Sequence, residues 1–92
     1  MSQNFNSQRA FQQAAVHHQA GQLQQAERIY KEILEAEPTN ADALHLLGVL
    51  ACQSGQPEMG ADLIAQAVQV NPTQPAFYGN LGNALNHLVS WI

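Results

Sequence analysis

Apolar residues recur along this chain at intervals of three and four, in blocks that glycine and proline separate. In the block 24–37, Ala26, Ile29, Tyr30, Ile33 and Leu34 fall at i, i+3, i+4, i+7 and i+8, which is one face of an amphipathic helix. Residues 7–20 place Ala10, Ala14 and Val16 or His17 at helical spacing, and Gly21-Gln22 then breaks the pattern as glycine does at a helix end. Pro38 stops the second block, and Asn40 can cap the next helix with its side-chain oxygen. That third helix, over about 41–54, turns Leu44, Leu47, Gly48 and Ala51 inward and ends at Gly55. Pro57 opens a fourth, at a position where its missing N–H is no loss. The fourth helix carries Gly60, Ala61, Ile64, Ala67 and Val68 on one side until Pro72. A fifth begins at Gln74 with Pro75 in its first turn.

The blocks repeat. Pro38 and Pro72 stand 34 residues apart, and the same step pairs Thr39 with Thr73, Leu47 with Leu81, Gly48 with Gly82 and Gly21 with Gly55. It also pairs Tyr30 with Ile64, Leu34 with Val68 and Ala26 with Gly60, and it aligns Ala10 with Leu44 and Tyr78. The small residues have a packing reason. Gly48 and Gly82 are expected where the two helices of a unit approach closely, with Ala26 and Gly60 at the facing position. A large side chain there would force the pair apart at a cost of about 1–3 kcal/mol.

Composition narrows what such helices can do. The chain has 92 residues, enough for one small domain, and 46% are hydrophobic, enough for a core. Only 11% are charged, so Gln, Asn and His must supply much of the polar surface. The net charge is -4, and Arg9, Arg28 and Lys31 are the only Lys or Arg residues. Nucleic acid and anionic membrane are therefore poor partners, since both need clustered cations. No apolar run is long enough to span a bilayer, and the N-terminus has no apolar signal-peptide core. The lone Cys52 cannot form an internal disulfide, which fits a reducing, cytoplasmic setting. No phosphate loop, nucleophile motif or paired carboxylates suggest catalysis, so the expectation is a non-enzyme without a cofactor.

A unit of ~34 residues with these small and bulky positions resembles the tetratricopeptide repeat (TPR) family. Leu44, Leu47, Gly48, Ala51, Gly55, Gly60, Ile64, Ala67 and Pro72 carry the likeness in the second unit. Ala10, Ala14, His17, Gly21, Ala26, Tyr30, Ile33 and Pro38 carry it in the first, and Tyr78, Leu81, Gly82 and Leu85 in the third. The resemblance implies an all-α, right-handed α-solenoid of two full repeats and one further helix. Residues 1–6 would be an arm, 7–40 the first repeat, 41–74 the second, and 75–92 the first helix of an incomplete third. More weakly, "YGNLGNAL" and "QAGQLQQAERIYKEIL" are similar to repeats found beside O-linked N-acetylglucosamine transferases and related sugar or sulfate transferases.

The family binds peptides or partner helices in a concave groove lined by the first helix of each unit. The matching candidates are Phe11 and His18, then Asp42, His45, Val49 and Cys52, then Asn80, Asn83, Asn86 and His87. Asn and Gln suit an extended peptide, because one amide both donates to and accepts from a backbone. The alternative for each is a solvated polar residue on a scaffold face. Positions where family members use Lys or Arg to hold a carboxylate are Phe11, Ala15, Leu46, Ala76 and Asn80 here, none of them basic. His18, His45, Cys52 and His87 could share the concave side, but His45 and Cys52 lie two turns apart, roughly 10 Å along an axis. No metal site is expected.

The last helix poses a separate question. Tyr78, Leu81, Leu85, Leu88 and Ile92 form an apolar stripe, with Trp91 beside it, and the sequence ends there. An uncovered stripe of this length marks an interface, and a two-fold dimer is the commonest answer. The expectation is a scaffold that binds a protein or peptide and also self-associates, as a dimer, through Tyr78, Leu81, Leu85, Leu88, Trp91 and Ile92. A missing neighbouring helix or a frayed end would also leave such a stripe open. In function class, a homo-oligomerisation module without external ligand and a detached transferase repeat segment compete with the scaffold.

Overall fold

Capping and turn residues fix where each helix begins and ends. Asn6 accepts a hydrogen bond from the Arg9 backbone N–H at 3.1 Å, and Asn40 accepts one from Ala43 at 3.1 Å. Gly21 and Gly55 take φ of +80° and +83°, a left-handed turn that glycine enters without a Cβ penalty. In both turns the following glutamine closes the helix end, Gln22 donating to the His17 carbonyl and Gln56 to the Ala51 carbonyl, each at 2.8 Å. The computed structural model describes residues 6–89. It contains α1 (Ser7–Gln19), α2 (Leu23–Ala36), α3 (Ala41–Gln53), α4 (Pro57–Val70) and α5 (Pro75–Val89), and no strand among the described residues. Each helix packs on its neighbours in sequence, and α3 also touches α5. The result is an all-α solenoid of two helix pairs and a fifth helix.

The apolar faces meet as their spacing requires. Ala10, Ala14, Ala26, Tyr30, Ile33, Ala43, Leu47 and Leu50 form one buried cluster across α1, α2 and α3. Leu44, Ala67 and Phe77 form a second across α3, α4 and α5. Tyr30, Ile33 and Ile64 are the largest fully buried side chains. Between α3 and α4 the backbones nearly touch. A Cβ on Gly48 would lie 2.6 Å from Ile64 Cγ1 and 2.8 Å from the Gly60 carbonyl oxygen. One on Gly60 would lie 2.6 Å from the Gly48 carbonyl oxygen and would run into Cys52 Sγ. The first pair of helices uses Ala14 and Ala26 at these positions, both fully buried.

The fifth helix is covered on one side only. Its buried residues are Phe77 and Ala84, with Asn80 and Leu81 half-buried. Tyr78 and Leu85 are each 48% exposed. Leu44, at the position equivalent to Tyr78, is buried because Ala67 and Phe77 of the following helices cover it. Among the described residues no such element lies against Tyr78. Gly82 shows the same thing: a Cβ there would meet nothing within 4 Å. Trp91 and Ile92 lie outside the described residues, as do the side chains of His87 and Leu88.

Candidate functional site

The first-type helices α1, α3 and α5 are tied together by two side-chain bonds of the same sequence separation. His18 Nε2 lies 2.6 Å from Gln53 Oε1, and Asn80 Nδ2 lies 2.6 Å from His45 Nε2. Each joins one such helix to the next, 35 residues on. The two rings meet opposite kinds of partner at Nε2. His18 Nδ1 also lies 3.0 Å from the hydroxyl of Tyr30, a buried phenol whose pKa burial raises. Gln53 Oε1 can only accept, so His18 Nε2 donates in that bond. His45 instead accepts at Nε2 from the Asn80 amide, so its proton sits on Nδ1.

Among the described residues, two hollows open on these helices. The larger, about 490 Å³, is lined by Phe11, Gln12, Ala15, Asp42, His45, Leu46, Gln74, Ala76 and Phe77. The smaller, about 210 Å³, is lined by Val49, Cys52, Gln53, Ile64, Asn80, Asn83 and Ala84. The structure thus gathers Phe11, Asp42 and His45 in one hollow and Val49, Cys52, Asn80 and Asn83 in the other. His18 reaches the second only through Gln53, and Asn86 is exposed away from both. Phe77 is the residue that sequence reasoning missed. It stacks on His45, ring centroids 4.6 Å apart, and walls the larger hollow while anchoring α5. Its signal was available: it repeats Ala43 at the 34-residue step, and Ala43 belongs to the buried face of α3.

The electrostatics are sparse. Asp42 is the only carboxylate among the lining residues, and no Lys or Arg joins it. Burial pushes the Cys52 thiol up, which keeps it protonated and a poor nucleophile. Among the described residues no three His, Cys, Asp or Glu side chains gather as metal ligands.

Burial also pushes His45 below its ordinary pKa of 6.5, against a smaller opposing pull from the Asp42 carboxylate. The unfolded chain therefore takes up that proton more readily than the folded one. Stability from the neutral ring is complete above pH 6.5 and is lost as the pH falls below it toward the folded pKa. A proton on Nε2 would also set two donors face to face unless the Asn80 amide turned. We expect the thermal midpoint to fall between about pH 7.5 and 5.5, and His45→Gln to remove part of that fall. Equal falls in both proteins would clear His45 of the effect.

A tetratricopeptide repeat family model matches residues 17–85. The chain belongs to the TPR family. Among solved structures, the crystal structure of MamA is similar at 27% identity over 82% of this chain and 44% of that one, with a TM-score of 0.75. A Thermobaculum terrenum O-GlcNAc transferase K341M mutant is similar at 29% identity, over 90% of this chain and 17% of the enzyme, with a TM-score of 0.79. The MamA RS-1 ArsTM double mutant, at 24% identity over 86% of this chain and 44% of that one, shares the fold with a TM-score of 0.78. The transferase neighbour matches the weaker likeness read from "YGNLGNAL". The chain spans less than half the length of each of these proteins. No curated protein matches it. TPR chains act in general as protein-interaction scaffolds, and this one has that architecture. Among the described residues no helix is long and apolar enough to cross a membrane.

Proposed function

We propose that this TPR chain is a non-catalytic, cytoplasmic scaffold that binds an extended peptide or partner helix along α1, α3 and α5. The observation that carries the reading is the pair of hollows on that one set of helices, joined by the His45–Asn80 bond. Gln12, Gln53, Gln74, Asn80 and Asn83 line them with amides able to pair with a peptide backbone. Displaying a random dodecapeptide library to the whole chain tests this. Enriched peptides should lose binding to Ala15→Trp or Asn83→Trp, exposed positions where the new ring fills a hollow without entering the core. Binders indifferent to both variants would place recognition elsewhere.

A second activity, self-association through α5, rests on Tyr78 and Leu85, two large apolar side chains half-exposed on one helix. Leu81 is half-buried beside them, and Leu88, Trp91 and Ile92 would extend the patch along the sequence. A dimer is the favoured assembly. Light scattering over a dilution series should give a mass above 10.0 kDa for the parent chain and return Leu85→Lys to the monomer with its thermal midpoint little changed. A parent mass that stays at 10.0 kDa at every concentration would remove self-association from the reading. A dimer with no peptide bound anywhere would favour a purely structural module. The transferase neighbour keeps open a repeat segment that serves an enzyme.

A further inference from the structure

The larger hollow is chemically lopsided. Phe11, Ala15, Leu46, Ala76 and Phe77 give it apolar walls, and its single formal charge is Asp42, exposed on the lip in the first turn of α3. The Asp42 carboxylate is near enough to the floor to act on His45 one turn along. At about 490 Å³ the space exceeds what one aliphatic side chain fills. No cation lines the hollow to neutralise Asp42, and its salt bridge is unmade: among the described residues the Lys31–Glu27 pair on α2 is the ion pair found.

We propose that the larger hollow recognises a peptide segment in which an aromatic or branched apolar side chain lies within one or two residues of Lys or Arg. The apolar group enters between Phe11, Leu46 and Phe77, and the basic group pairs with Asp42 at the lip. This rests on the groove reading above and adds to it the class of ligand. Asp42 repels an acidic partner and attracts a basic one. Shape and charge thus select together, the hollow providing affinity and Asp42 discrimination.

The same dodecapeptide selection tests the assignment through the sequences it returns. Enriched peptides should pair an aromatic, Leu, Ile or Val with a nearby Lys or Arg. Asp42→Asn should weaken them about three- to fivefold at low salt, and less as salt rises, as a solvent-facing ion pair does. Asp42 and Glu58 both sit in the first turn of a helix, so Glu58→Gln controls for any effect on helix stability and should leave binding unchanged. Peptides that enrich and depend on Ala15 but lack the basic residue, or bind Asp42→Asn as well as the parent, would overturn the inference and leave the groove standing. Binding lost with Asn83→Trp but untouched by Ala15→Trp would overturn the inference alone, and no enrichment, or binding untouched by both variants, would overturn the groove reading as well.

Discussion

Gly60→Val should lower the stability of the folded chain by about 3 kcal/mol, at the upper end of what overpacking a close contact costs. The atoms it would strike are the Gly48 carbonyl oxygen and Cys52, and a backbone carbonyl cannot swing aside as a side-chain end can. The helices α3 and α4 must therefore separate, which strips Ile64 of part of its cover. Gly48→Ala faces the same obstruction from the Gly60 carbonyl oxygen at 2.8 Å. Its gain in helix propensity, about 1 kcal/mol, is too small to offset the clash. Gly82→Ala makes the opposite case. Gly82 holds the same place in its unit as Gly48, yet a methyl there meets nothing, so that substitution should stabilise by up to about 1 kcal/mol. Urea unfolding followed by circular dichroism reads all three. If Gly48→Ala and Gly82→Ala move the midpoint in the same direction, the close approach of α3 and α4 is not what sets the cost.

Phe77→Ala removes the residue that seats α5, and truncating a buried phenylalanine costs about 3–5 kcal/mol. Phe77 fills the space against Leu44 and Ala67 and lies on the His45 ring. The loss should not spread evenly. In a solenoid each unit answers chiefly to its neighbours, and α5 packs on α4 and α3 rather than on the first helix pair. Hydrogen exchange should therefore show lost protection in α5, weaker loss in α4, and little change in α2. Uniform loss from α1 to α5 would show that the chain opens as one cooperative body instead.

Much of the fold was legible because local and repeat signals agree. The helix boundaries follow from Asn40, Pro57 and the two left-handed glycines, all punctuation whose effect acts within a few residues. The faces of α2, α3 and α4 follow from spacing, since helices on both sides cover them. The fifth helix keeps the same periodicity but has cover on one side only. Periodicity finds the apolar stripe Tyr78–Leu81–Leu85, but burial depends on where the neighbouring helix lies, and α4 meets the Phe77–Ala84 side. In the candidate site, match to the family pointed to Asp42, His45, Asn80 and Asn83, which line the two hollows, because first-helix positions are fixed by repeat register. The bonds His45–Asn80 and His18–Gln53 lay beyond reach. They depend on the offset between successive helices, which a 34-residue step in sequence does not specify to within one residue.

The way each helix leans on those next to it in sequence also bears on how the chain comes to be folded. Closing the α1–α2 or α3–α4 pair needs a loop of only a few residues, so little entropy is spent before contacts form. Such a chain has low contact order and belongs with the proteins that fold in microseconds to milliseconds. The first helix pair can be complete while α4 and α5 are still being synthesised at the ribosome. The α3 surface around Leu44 then stays open until α4 and Phe77 emerge, and a nascent chain would show it to chaperones until they do.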